Sequence, residues 1–286
     1  MMNRRIINQL IDFIKTTFLL AGWIFCLFDG YSQTVRYPLT CNYSGIGVYS
    51  KHFGDALSAT NNQAALAKIQ SLNAAVFAER RFLLKELNLY QIAFCLPLHS
   101  GGLGLSAGYS GYNDYNESRV GLGYGKTLGK IDMGIQFNYY SLRIAGYGAM
   151  GVVNFEVGTI FHISEQVHAG LHVFNPTGSK FGRGNLEKLS SKYTAGLGYE
   201  PSEKVYLGVE IIKEENKAVN INTGIQYAFA RKVFARIGLY TESGNLYFGI
   251  GLKWARIHIE VTTSFHPQLG CTPGLMLVFE GKRKEE

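Results

Sequence analysis

Charged residues are scarce in this chain. Only 17% of its 286 residues are Asp, Glu, Lys or Arg, against roughly 25% in an ordinary soluble domain. The hydrophobic fraction is 47%, which excludes disorder, since disorder needs low hydrophobicity and high net charge. The net charge is +7, but Lys and Arg are scattered, so the concentrated basic footprint of a nucleic-acid-binding protein is missing. Proline is rare, at 6 residues, and the 34 glycines have no three-residue period, which excludes a collagen-like chain. The four cysteines form no CxxC pair and show no zinc-ligand spacing. The apolar run Phe18 to Phe28 has 11 residues, too few to cross a bilayer as a helix, which takes about 20.

That run instead has the layout of an export signal. Arg4, Arg5 and Lys15 supply the basic n-region, and Gly30 and Ser32 are the small residues at a peptidase site, with Gln33 as the expected mature start. Residues 1–32 are therefore expected to be a signal peptide. Trp23-Ile24-Phe25 before Cys26 is too bulky for a lipoprotein site. Cys41, Cys95 and Cys271 remain after cleavage; they allow one disulfide or three free thiols in buried or lipid-facing positions.

What the chain has in quantity is alternation. Ile131, Met133, Ile135, Phe137 and Tyr139 alternate with Asp132, Gly134, Gln136 and Asn138. Val205, Leu207, Val209 and Ile211 alternate with Tyr206, Gly208 and Glu210. Val219 to Tyr227, Leu246 to Leu252 and Ile257 to Thr263 repeat the pattern. Successive side chains of a strand point to opposite faces, so each segment has one apolar and one polar face. A soluble sandwich and a membrane barrel share this period. Three features select the barrel. The runs are about 9–12 residues long, matching the tilted strand a bilayer needs. The polar face holds Gly, Ser, Asn and Gln rather than surface Lys and Glu. Tyr and Phe recur near segment ends, as interfacial girdles do.

The fold class is thus all-β: a 14-stranded antiparallel transmembrane β-barrel over 71–281, with a short, partly helical N-terminal plug over 33–70 and a charged tail over 282–286. The first strand is expected near 71–80, the fifth near 130–142, the thirteenth near 254–265 and the last near 273–281. An even count returns both barrel ends to the periplasmic side. Short turns such as Thr127-Leu128-Gly129-Lys130 belong there, and the longer connections 111–116, 174–190 and 265–272 belong outside. Outer-membrane lipid is then an expected partner, and the bacterial outer membrane the expected location.

A barrel this wide leaves a hole unless something fills it. The stretch from Ala56 to Ile69 does not alternate and reads as one or two short helices, with Thr60 or Asn61 capping the second. Asn61, Asn62, Gln63, Ala64, Ala65 and Leu66 are the core of this candidate plug. Asp55-Ala56-Leu57 followed by Asn61 to Ala67 resembles the N-terminal hatch of the FadL-type outer-membrane transport family, and more closely its PorV/PorQ-like branch in Bacteroidota. The family pattern is Asn-Pro-Ala-x-Leu; here Asn62, Ala64 and Leu66 match and Gln63 replaces the proline. The resemblance implies one of two roles. One is an accessory barrel of a larger secretion or assembly machine, partnered by another outer-membrane protein. The other is a hatch-gated passage for small hydrophobic compounds. The short outer loops leave little room for an apolar pocket, which favours the accessory subunit.

Strand parity turns Glu156, Glu210, Arg236, Arg256, His258 and Glu260 into the lumen, where charges pair or line a path. His168 and His172 also face inward, but four residues apart on a strand they cannot share a metal through adjacent positions. Ser264 and His258 are separated by roughly 20 Å along a strand, and no G-x-S-x-G is present. No enzyme activity, metal or cofactor is expected. Gly121-x-Gly123-x-Gly125 lies within a strand and opens no helix, so it reads as space for a plug rather than a phosphate loop.

Overall fold

A computed structural model of the chain describes residues 49–50, 53–181, 187–215, 217–230, 232–241 and 244–282. The expected signal peptide, Cys41 and most of the charged tail lie outside these residues. Fourteen antiparallel strands close into one barrel. They are β1 (Asn73–Arg80), β2 (Asn88–Leu98), β3 (Gly101–Gly111), β4 (Tyr115–Leu128), β5 (Ile131–Ile144), β6 (Gly148–His162), β7 (Val167–Phe174), β10 (Lys192–Ser202), β11 (Val205–Glu214), β12 (Val219–Ala228), β13 (Val233–Tyr240), β14 (Asn245–Trp254), β15 (Ile257–His266) and β16 (Gly270–Glu280). The small hairpin β8 (Lys180–Phe181) and β9 (Glu187–Lys188) stands apart within the β7–β10 connection. Closure comes from β1 pairing with β16, Asn73 opposite Glu280.

The alternation in sequence becomes an alternation in burial. On β5, Asp132, Gly134, Gln136 and Asn138 are buried while Met133, Ile135, Phe137 and Tyr139 are exposed. The exposed set continues around the cylinder through Leu122, Val153, Leu197, Ile211, Ile225, Phe248, Ile250 and Val261. Apolar surface on the outside and polar groups within is the inverse of a soluble protein and fits hydrocarbon outside. Among the described residues no helix is long and apolar enough to cross a membrane, which says nothing of a barrel that crosses with its strands.

One rim of the barrel carries two-residue turns, such as Gly129-Lys130 between β4 and β5, with Gly129 at φ +63, the left-handed geometry such turns need. Two of the connections expected to be long are short. Strands β4 and β16 begin earlier than their apolar runs suggest, so 112–114 and 267–269 are left as three-residue links. The connection after β7 is the long one, and it folds inward: Phe181 and Leu189 are buried against Tyr140, Leu142, Val152 and Phe174. Asn175 knits it, donating from Nδ2 to the Leu189 carbonyl at 2.5 Å, while its own Oδ1 accepts from the Ser179 N–H at 3.0 Å. Cys95 is buried and Cys271 half-buried, and both are free thiols.

Candidate functional site: a moulded plug and a polar lumen

The lumen near the short-turn rim is filled by the chain's own residues 49–50 and 53–69. A four-residue helix, α1 (Ser58–Asn61), is followed by a 3-10 turn over Gln63–Lys68. Asp55 prepares α1 by accepting from the N–H groups of Leu57 and Ser58, both at 2.9 Å. The cap of the second turn is Asn62, one residue later than expected; its Oδ1 accepts from the Ala64 N–H at 3.1 Å. Its Nδ2 reaches the Thr159 and Leu171 carbonyls of β6 and β7 at 3.4 Å each, so one side chain caps the plug and fastens it to the wall. Gln63 stands at the first position of that turn, where proline is tolerated because the N–H needs no partner. Its replacement of proline therefore leaves the turn intact. Asn61 is half-buried, and Asn62, Gln63, Ala64, Ala65 and Leu66 are buried.

The inward glycines are a mould for this segment. A Cβ on Gly102 would lie 2.1 Å from the Leu66 carbonyl oxygen, and one on Gly134 would lie 2.2 Å from that of Gln63. Gly104, Gly123 and Gly125 receive the Leu66 side chain, and Gly158 receives Asn62. Gly170 and Gly196 take the flat of the Tyr49 ring, at 2.1 and 1.9 Å from an added Cβ. Gly121, Gly123 and Gly125 thus make room, the last two for the plug and Gly121 for Gln136 and Asn138. The apolar side of the plug, Phe53, Ala56, Leu57, Leu66 and Ile69, packs on inward residues of β1, β2 and β16: Ala75, Phe77, Leu89, Ala93, Cys95, Met276 and Val278. The inward face of these strands is thus largely apolar, with Asn73, Gln91 and Thr272 as its buried polar residues.

Two buried carboxylates organise the polar lumen. Glu156 accepts from Gln136 Nε2 at 2.8 Å and Asn138 Nδ2 at 2.9 Å, and meets His172 Nε2 at 3.0 Å. Arg119 Nη1 stands 3.9 Å away, with both side chains fully buried. Across the barrel, Glu260 faces Arg236 Nη1 at 3.3 Å and His258 Nε2 at 3.9 Å. Arg236 also donates to Gln226 Oε1 at 2.7 Å and lies over the rings of Phe53 and Phe234 at 5.4 and 4.9 Å, a cation–π contact linking wall and plug. Glu210 accepts from Asn222 at 3.0 Å and faces Tyr49. Burial first, and then the Glu210 carboxylate, push the Tyr49 hydroxyl well above its usual pKa, so it stays a neutral donor.

Arg256 does not join this set. Strand β14 runs on to Trp254, which pairs with Ile257, and Arg256 is an exposed residue of the two-residue turn between them. Parity along β15 points inward at even numbers, but position 256 is past the last paired residue. Sequence reasoning also passed over Arg119 and Tyr49. Arg119 shares the inward parity of Gly121 and Gly123 and was legible on that basis. Tyr49 lies outside any periodic segment and has no such signal. His266, near Ser264 in sequence, uses Nδ1 to accept from the Gln268 and Leu269 N–H groups at 3.1 and 3.2 Å, which fixes its loop.

No protein-family model and no curated protein matches the chain. Solved structures do. A Pseudomonas aeruginosa FadL homologue superposes with a TM-score of 0.58 at 11% identity, covering 85% of this chain and 99% of its own. The fold is shared. The CymD monoaromatic hydrocarbon channel gives 0.60 at 9% identity, with 87% and 100% covered. The Ralstonia pickettii toluene transporter TbuX gives 0.57 at 10%, with 85% and 98% covered. The architecture is therefore that of FadL-type outer-membrane barrels.

Proposed function

We propose that this chain is an outer-membrane channel for small hydrophobic compounds, held shut by residues 49–50 and 53–69. The observation that carries this reading is an apolar lining inside the barrel. At the short-turn rim it is the inward face of β1, β2 and β16; at the opposite mouth it is Tyr140, Leu142, Val152 and Phe174 under Phe181 and Leu189. The middle of the lumen is polar, as in a porin, but here it lies between two apolar ends. With the plug displaced, this apolar wall would face water at a cost of about 25 cal/mol per Å², and an apolar guest removes that cost. Two of the similar structures are described as a monoaromatic hydrocarbon channel and a toluene transporter, which supports the same class of cargo here. Location in the outer membrane follows from the same reading, as does export through residues 1–32.

The accessory-subunit reading, which the sequence favours, draws on short outer loops with little room for an apolar pocket. The inward fold of the β7–β10 connection gives the mouth an apolar lining, and the apolar exterior is what lipid requires of any barrel. The weight moves to passage. The test is uptake of a small aromatic hydrocarbon by cells with and without the gene. Slower uptake in the deletion strain, restored by the intact gene, supports the channel. Equal uptake, with the barrel isolated alongside a stoichiometric partner, supports the subunit instead.

A further inference from the structure

The two rims of the barrel hold their cations differently. At the mouth opposite the plug, cations stand against carboxylates: Arg81 against Glu79 at 2.6 Å, Lys217 against Glu214 at 2.9 Å, and Lys188 against Glu215. On the short-turn rim one arc, from the β12–β13 turn to the end of β16, carries Lys232, Lys253, Arg256 and Lys282, all exposed. Among the described residues none of these four makes an ion pair. Backbone bonds fix their order: the Lys253 N–H donates to the Lys232 carbonyl at 2.7 Å, and the Glu280 N–H to the Arg256 carbonyl at 2.9 Å. Glu280 is the single anion of the arc among the described residues. The sequence adds Arg231 beside Lys232, while 283–286 hold two residues of each sign.

The same arc carries an aromatic edge on the outer face. Trp254 is 69% exposed and continues the outward series Leu246, Phe248, Ile250 and Leu252 of β14. Phe229 is 64% exposed and meets Tyr227 edge-to-face at 4.9 Å. Exposed rings at the end of an apolar outer face mark the level of lipid headgroups. Trp254 stands in sequence between Lys253 and the Ala255-Arg256 turn, where Ala255 takes the left-handed φ of +52. Lys and Arg at such a level lay their stems on apolar surface and put the charged end among the headgroups. A zwitterionic lipid offers them a phosphate already balanced by its own ammonium. A lipid of net negative charge offers one that is not, and basic residues at a membrane surface favour it.

We propose that this arc binds anionic phospholipid, with Lys232, Lys253 and Arg256 taking the headgroup phosphate beside Trp254. The proposal rests on reading the barrel as a membrane protein, and not on what its lumen passes. The Arg256 guanidinium can meet two phosphate oxygens at once, and the lysines add point charge around it. The acyl chains of the same lipid then lie on Leu252 and Ile257, both exposed on the outer face. An acidic protein segment would meet the same charges but would have no use for the aromatic edge, so lipid is the better occupant.

Trp23 and Trp254 are the only tryptophans of the chain, so in a Trp23→Phe chain the fluorescence of Trp254 reports from the arc itself. The protein is placed in phosphatidylcholine vesicles in which a fixed minor fraction of the lipid carries brominated acyl chains, as phosphatidylglycerol or as phosphatidylcholine. Folding is checked by the gel shift of the unheated barrel. The expected result is quenching that corresponds to about a fivefold enrichment of phosphatidylglycerol at low salt, one cation's worth, which falls as salt screens the charges. Lys232→Gln, Lys253→Gln and Arg256→Gln together should bring the two lipids level, whereas Arg143→Gln with Lys180→Gln, at the opposite mouth, should leave the preference unchanged. Equal quenching by the two lipids in the starting chain overturns the proposal, as does a preference that survives the triple change. Equal quenching together with salt-sensitive binding of polyglutamate would assign the arc to an acidic protein instead. Quenching by neither lipid would contradict the membrane reading itself, so the two failures are told apart.

Discussion

Leu66 is where the plug meets the wall most closely, and Leu66→Ala is the sharpest perturbation of it. Its side chain is fully buried. The wall opposite is glycine: a Cβ on Gly104 would lie 2.7 Å from Leu66 Cδ2, and one on Gly125 would lie 2.7 Å from its Cβ. Leu→Ala in a packed interior costs about 2–5 kcal/mol, more where the surroundings cannot collapse into the space. Here the surroundings are a closed barrel whose facing positions carry no side chains, so the upper part of that range applies, about 3–5 kcal/mol. That lowers the ratio of seated to unseated plug by about a hundredfold to a few thousandfold. The barrel's own strand pairing is untouched, so the variant should fold and keep its gel shift. Cys95 should then react with thiol reagents much faster at neutral pH, and planar bilayers should show openings that the wild type lacks. A folded Leu66→Ala barrel with wild-type Cys95 protection and no new conductance would refute the idea that glycine moulding holds the plug.

Four further outcomes follow from the geometry. Gly158→Ala would put a Cβ 2.0 Å from Asn62 Oδ1 and 3.0 Å from the Gln63 nitrogen, so it should loosen the plug as Leu66→Ala does. Gly54→Ala, whose Cβ meets nothing nearer than 3.8 Å, should leave Cys95 protection unchanged. Glu156→Gln strands Arg119 and His172 without their carboxylate and should destabilise the barrel by about 3–5 kcal/mol, read as a lower temperature for losing the gel shift. Ile250→Lys, on the outer face at mid-strand of β14, should cost about 2–4 kcal/mol in lipid, read as a fall in folded yield in vesicles; full yield would mean that this face does not meet hydrocarbon.

How much of this was legible in sequence depends on how far apart the interacting residues are. Alternation is local, so the strands could be read one at a time: the fifth is expected at 130–142 and stands at Ile131–Ile144. Inward parity is the reading for Glu156, Glu210, Arg236, His258 and Glu260 because parity persists along a strand; the structure buries four of them and half-buries Glu210. Parity failed for Arg256, since a two-residue turn ends the strand without disturbing the count. The segment before β1 reads as a plug because it interrupts the period, and the inward glycines read as the room left for it. The fit of Leu66 to Gly104 and Gly125, or of Tyr49 to Gly170 and Gly196, was not visible, because nothing in one segment tells which other segment it will touch. The same holds for the histidines. His168 and His172 drew notice as neighbours on one strand, whereas the ring that meets His168 is His162, six residues earlier and opposite it across a turn. The inward fold of the β7–β10 connection was missed because Phe181 and Leu189 sit in a stretch with no period.

The central claim is that this barrel passes small hydrophobic compounds and that its plug decides when. The most direct measurement compares uptake of a small aromatic hydrocarbon and a sugar of similar size by cells lacking the gene, carrying the wild type, or carrying Leu66→Ala. The account predicts faster hydrocarbon uptake with the wild type, no added sugar uptake, and entry of both through Leu66→Ala. Hydrocarbon uptake that is the same in all three strains would contradict it.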